Sequence, residues 1–129
     1  MENINHIINE CVFCNLNREI IKETEHSISF YDTFPVSKGH ALIIPKRHVS
    51  NYFDLSETEK NDCWKLLEHV IEYVQKKYNP DGFNIGINVN ESAGQTIMHC
   101  HIHLIPRYSG DVENPKGGVR HVIPGKGFY

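Results

Sequence analysis

Residues 83–89 alternate between apolar and polar: Phe83, Ile85, Ile87 and Val89 face one way, Asn84, Gly86 and Asn88 the other. That period of two predicts a half-buried strand. Upstream the period changes. From about residue 56 to 78, Cys63, Leu67, Val70, Ile71, Val74 and Tyr78 fall on one stripe, as on an amphipathic helix. Ser56-Glu57-Thr58-Glu59 fits a capping box at its start, and Asn79-Pro80 closes it. Short strands are predicted around 19–22 and 27–31, and at 41–45, an apolar run bracketed by Gly39 and Pro45. The run His99-Cys100-His101-Ile102-His103-Leu104-Ile105 also alternates, which as a strand sends Cys100, Ile102 and Leu104 to a core. Its three imidazoles then share the other face, roughly 6.6–7 Å apart. A Gly-containing turn at 90–96 joins it to the strand before, which predicts an antiparallel pair. A sheet apolar on one face needs the long helix to cover it. The expected class is therefore α+β, with the asparagines and histidines exposed together on the open face.

Composition narrows the picture. The 129 residues suit one domain, 1–129, burying roughly two-thirds of the surface its unfolded chain exposes. A net charge of −3 leaves no basic footprint for nucleic acid. No apolar run approaches the roughly 20 residues needed to span a bilayer. Residues 1–6 are polar, without a basic segment leading into an apolar one. A soluble, cytoplasmic chain is the expectation. Cys63 and Cys100 fall in core stripes and read as small hydrophobes. Cys11-x-x-Cys14, in a reducing compartment, favours zinc or redox chemistry over a structural disulfide. No Gly-rich phosphate loop of the P-loop or dinucleotide-binding kind is present.

Three histidines in strict alternation invite nucleophilic, proton-carrying or metal-binding roles near neutral pH. The pattern His-φ-His-φ-His-φ-φ (φ apolar) resembles the signature of the histidine triad (HIT) family of nucleotide hydrolases and transferases. Every position is filled, with Cys100 the least typical φ. Phe34-Pro35-Val36-Ser37-Lys38-Gly39-His40-Ala41-Leu42-Ile43-Ile44-Pro45-Lys46-Arg47-His48, Asn84-Ile85-Gly86-Ile87-Asn88, Gly94-Gln95-Thr96 and Ile105-Pro106-Arg107-Tyr108 agree in order, so the resemblance runs from about Cys11 to the C-terminus. It implies a HIT-like fold, an antiparallel sheet of about five strands covered by one long helix plus a short one, in a two-fold homodimer.

The resemblance also implies roles. His101 attacks the α-phosphorus of a purine nucleotide to give a nucleotidyl-histidine. For that, one ring nitrogen must be free and the other held by an acceptor, which a backbone carbonyl does without placing negative charge beside the phosphate. His103 and His40 complete the triad, either one protonating the departing oxygen or orienting water. Asn88 and Thr96 match phosphate-contacting positions, Gln95 stands beside them, and Asp32 matches a carboxylate that accepts from ribose hydroxyls; a turn-capping aspartate is the plainer reading of Phe30-Tyr31-Asp32. Cys11, Cys14, His48 and His99 form a Cys₂His₂ set, which some family members use for a closed, structural zinc site. The tail Gly117-Gly118-Val119-Arg120-His121-Val122-Ile123-Pro124 resembles that of dinucleoside polyphosphate hydrolases of the bacterial kind. Arg107, Lys116 and Arg120 can draw polyphosphate or stand as solvated charges.

Two other classes fit parts of the chain. A His-x-His metalloenzyme explains the histidine run but leaves Gly-His-Ala-Leu-Ile-Ile-Pro and Gly-Gln-Thr without a purpose. A zinc-stabilised, non-catalytic nucleotide-binding module explains the cysteines but not the intact triad.

Overall fold

The computed structural model describes residues 4–129; the polar start at 1–3 lies outside the described residues. The elements in order are α1 (Ile4–Glu10), β1 (Ile20–Glu23), β2 (Ser27–Tyr31), β3 (Ala41–Pro45), α2 (Glu57–Tyr78), β4 (Gly82–Ile87) and β5 (Ile102–Arg107), with short 3₁₀ turns at Tyr52–Asp54, Glu91–Ala93 and Gly118–Val122. The five strands form one antiparallel sheet in the order β1-β2-β3-β5-β4. This is the expected α+β architecture of one long helix, one short helix and five strands. No helix among the described residues is long and apolar enough to cross a membrane.

Helix α2 begins as its sequence requires. The Ser56 hydroxyl accepts from the Glu59 amide at 3.1 Å, and the Glu59 carboxylate accepts from the Ser56 amide at 2.9 Å. Glu59 also grips Arg47, whose Nε and Nη2 donate at 3.0 and 2.7 Å. That guanidinium is the main reason the Glu59 carboxyl falls to about 2. The helix start is thus tied to the segment that carries His48. Asn79 closes the helix at φ 52, and Pro80 forbids continuation. The helix packs Cys63, Leu66, Leu67, Val70 and Val74 against Ala41 and Ile43 of β3 and Ile102 and Leu104 of β5. Cys63 and Cys100 are buried free thiols, raised to about 12 and 11, foremost by burial.

Two expectations change. First, the sheet face opposite the helix is not open. All five residues of β3 are buried. Leu42 and Ile44 form a second core with Phe13 and Phe30, because the Cys11–Cys14 knuckle folds back over β2 and β3. Second, the histidine run is not a strand throughout. The ladder begins only at Ile102, so His103 is the one triad histidine within β5. The backbone ahead of it has other partners. The Cys100 amide donates to the Val49 carbonyl at 2.7 Å, and the His99 side chain, not a strand amide, takes the Pro45 carbonyl at 2.8 Å. The connection from β4 is therefore longer than a tight hairpin turn, with positive φ at Asn90 (73°) and Gly94 (93°).

Candidate active site

Burial changes the character of the histidine face. His99 is 0%, His40 3% and His101 7% exposed, while the His103 side chain keeps 22%. The histidines are a lined floor beneath the knuckle, not a solvent-facing row. Three of these four rings, His40, His99 and His101, are assigned a tautomer by a backbone partner, since a carbonyl only accepts and an amide N–H only donates.

His101 Nδ1 donates to the carbonyl of His99 at 2.8 Å. Its proton is fixed on Nδ1, which leaves the Nε2 lone pair free. The Val36 amide donates to His40 Nδ1 at 3.1 Å, so the His40 proton stands on Nε2. From there it is given to His103 Nδ1 at 3.0 Å. His103 consequently carries its own proton on Nε2. The His101 and His103 rings lie 5.0 Å apart, tilted by 67°. Burial pushes His103 down to about 4, helped by the repulsion that cations on the neighbouring His101 and His40 rings would exert and opposed by Asp32; burial lowers His40 as well, against the same carboxylate. Both rings are therefore neutral near pH 7.

Asp32 Oδ2 lies 3.5 Å from His40 Nε2 and 4.0 Å from His103 Nδ1. Its Oδ1 accepts from the Phe34 amide at 2.8 Å, so it caps the turn into the Val36 segment while leaning on the pair. Asp32, His40 and His103 are close enough to resemble a two-histidine, one-carboxylate metal site. The Val36 amide argues against it. With His40 Nδ1 accepting, a metal on Nε2 would require an imidazolate. In this arrangement the cluster is a hydrogen-bond relay from the Val36 amide through His40 to His103.

The other expected cluster is assembled from three distant segments. Cys14 Sγ lies 3.2 Å from His48 Nδ1 and 3.5 Å from His99 Nδ1; Cys11 Sγ lies 3.5 Å from His99 Nδ1. All four ligand atoms fall within 4.8 Å of one another. Tetrahedral zinc at its usual bond lengths separates sulfur from nitrogen by about 3.5 Å, so the set fits that ion. His99 Nε2–H donates to the Pro45 carbonyl at 2.8 Å, which leaves Nδ1 as the lone-pair side facing the thiols. Burial pushes His99 down to about 4 and the Cys14 thiol up to about 12.

The remaining expected contacts divide. Asn88 is half-buried and follows Ile87, whose pairing with Ile102 is the last of the β4–β5 ladder. Thr96 is exposed on the loop ahead of the histidines. Gln95 is buried and its amide is spent on the loop: Oε1 accepts from the Asn90 amide at 2.9 Å, and Nε2 donates to the Ser50 and Ile97 carbonyls at 2.9 and 3.1 Å. It braces the site rather than pointing a free amide into it. Arg107 is likewise committed, bidentate to Asp111 at 2.8 Å on both arms and 2.6 Å from Asn84 Oδ1. Lys116 and Arg120 lie over the Tyr129 ring at 4.7 and 4.8 Å. A cleft of about 510 Å³ is lined by Val36, Asn84, Ile105 and Arg107 together with His121 and Phe128 of the tail. Sequence reasoning missed Phe13, the Val36 amide and the Pro45 carbonyl. Only Phe13 left a signal, an aromatic inside a Cys-x-x-Cys knuckle.

The HIT domain matches residues 15–110. An uncharacterized HIT-like protein of Methanocaldococcus jannaschii is 40% identical over 118 residues, covering 87% of this chain and 91% of its own. The bis(5'-adenosyl)-triphosphatase of Dictyostelium discoideum is 40% identical over 96 residues, 74% of this chain and 64% of that protein. The asymmetrical bis(5'-nucleosyl)-tetraphosphatase of Schizosaccharomyces pombe is 34% identical over 93 residues, 72% and 51% respectively. A zinc-bound histidine triad protein from Mycobacterium smegmatis superposes with a TM-score of 0.76 at 29% identity, covering 83% of this chain and 81% of its own. The chain belongs to the HIT family.

Proposed function

We propose that this protein is a nucleotide hydrolase or nucleotidyl transferase that acts on the α-phosphate of a purine nucleotide through a covalent nucleotidyl-His101. The carrying observation is the 2.8 Å bond from His101 Nδ1 to the His99 carbonyl, which leaves Nε2 as the nucleophilic nitrogen. In the first step Nε2 forms a bond to the α-phosphorus, and the bond to the leaving oxygen or nitrogen breaks, its electron pair going with the leaving group, which takes up a proton from solvent as it departs. His103, donating from Nε2 and held by His40, stabilises charge on the departing atom. Asn88, Thr96 and loop amides meet the phosphoryl oxygens, and Asp32 accepts from the ribose. In the second step water attacks the phosphorus and gives up one proton to solvent, the P–N bond breaks with its electron pair returning to Nε2, and a nucleoside monophosphate and neutral His101 remain. The hydrolase relatives support this reading.

The reading includes a closed zinc site on Cys11, Cys14, His48 and His99, which supplies cross-linking between segments and no open coordination position. It also includes a two-fold homodimer, supported by β4, which ends the sheet with Ile85 38% exposed. The cleft lined by Val36, Ile105 and the tail receives the leaving group.

The test is intact-protein mass spectrometry after brief exposure to a diadenosine polyphosphate or an adenosine phosphoramidate. A mass gain of one adenylyl group, lost in His101→Ala, is expected. Turnover of both substrates with no acid-labile adduct in wild type or in a His103→Ala variant would reject the covalent route.

A further inference from the structure

The two clusters meet at His101, and they meet twice. One link is covalent: His99 turns Nδ1 toward the cysteines while its carbonyl holds His101 Nδ1–H. The other is Phe13, which lies between the two knuckle cysteines and is 5% exposed. Its ring stands 5.2 Å from His101 at 79°, 6.0 Å from His99 at 77° and 5.4 Å from Phe30 at 63°. These edge-to-face contacts fill the space beside the nucleophile with a rigid aromatic surface. Ring rotation at His101 would have to push Phe13 away. Phe13 moves with the knuckle, which packs on β2 and β3 and is drawn to His48 and the histidine segment through the cysteine–histidine set.

We propose that Phe13 is a positioning residue for His101, and that metal loading of the Cys11–Cys14–His48–His99 site sets catalytic competence by seating Phe13 and the His99 carbonyl against the nucleophile. The metal site then regulates the reaction as well as closing the fold. The catalytic consequence rests on the nucleotidyl-His101 reading; the coupling of metal to ring orientation does not. Loss of the metal frees the knuckle from His48 and His99, and the wall beside His101 loosens. The nucleotide-binding groups at Asp32 and Asn88 lie on other segments and keep their places, so the first chemical step suffers more than binding.

Protein labelled with ¹⁵N-histidine tests this by NMR at one pH, wild type with one equivalent of zinc against wild type freed of metal, beside zinc-loaded Phe13→Ala and Phe13→Leu. In zinc-loaded wild type His101 should show a single Nδ1–H tautomer. In Phe13→Ala with zinc still bound, that signal should mix or broaden while His103 is unchanged. Its kcat should fall roughly tenfold to hundredfold, as expected of a slightly misplaced nucleophile, with KM changed less than about twofold. Leucine, which restores most of the volume, should recover most of both. A Phe13→Ala protein that loses melting temperature but keeps the His101 tautomer and kcat would overturn the proposal, as would His101 signals that ignore zinc in the wild type. If Ala does not fold, the wild-type comparison with and without zinc carries the test. Wild type that forms no adduct defeats the nucleotidyl reading alone, because the tautomer comparison needs no turnover.

Discussion

Two histidine clusters flank His101, both within metal-binding distances, and one backbone atom makes each what it is. At His99 a carbonyl, that of Pro45, takes the Nε2 proton and leaves Nδ1 as a lone pair facing two thiols. At His40 an amide, that of Val36, occupies the Nδ1 lone pair and leaves Nε2 as a donor to His103. The first imidazole turns a lone pair toward the thiols, and the second turns a proton toward its neighbour. Histidine's two nitrogens are set by whichever partner reaches one of them, so spacing alone cannot distinguish the roles.

The largest expected effect lies between the two clusters. His101→Ala should abolish turnover by at least about 10³-fold, or more than roughly 4 kcal/mol of barrier, with nucleotide affinity and folding retained. Retention of a tenth of the wild-type rate would remove His101 from the nucleophile role.

The contrast between clusters breaks or holds on metal content. Protein purified without chelator should carry about one zinc per chain by elemental analysis. Cys11→Ser should lower that content and the melting temperature together, because metal-binding energy is coupled to folding. His40→Asn should leave the zinc content unchanged. A second equivalent of metal lost on replacing His40 would show that the relay binds metal after all.

Acid provides a finer probe of the relay. His103 titrates near 4 when folded, chiefly because burial disfavours its cation, against an ordinary value of 6.5. Between these pH values the unfolded chain binds more protons than the folded one. Stability from this group is therefore complete above about pH 6.5 and lost as pH falls toward 4, by up to about 3 kcal/mol. Denaturant melts at pH 7 and pH 5 should show His103→Asn losing less stability than wild type over that interval. An identical loss would mean that His103 is not held neutral.

A smaller effect provides the control. Ser56→Ala removes the α2 cap and should cost about 1 kcal/mol in chemical denaturation, without changing zinc content or the tautomer of His101. A drop in zinc would show that the Glu59–Arg47 clamp beside His48 matters to the metal site.

The fold was legible in the sequence because period and punctuation are local. The α2 stripe, its capping box and the 41–45 run each needed only neighbouring residues. The identities in both clusters were legible too, since Cys-x-x-Cys, the histidine run and Gly-His-Ala are written in side chains. Other features were decided by long-range contacts. Alternation suggested that His99 and His101 lie on an exposed strand face; instead the ladder starts at Ile102 and the knuckle buries both. Asp32 and Gln95 looked alike as polar groups near the site. Tertiary structure set Asp32 against two imidazoles and spent the Gln95 amide on Asn90, Ser50 and Ile97. By itself the sequence determined which chemical groups are available and which local elements carry them. Only the tertiary structure decided which nitrogen of each histidine is free. That choice belongs to the carbonyls of Pro45 and His99 and the amide of Val36, and backbone atoms are the same at nearly every position until the fold brings one of them within reach of a ring.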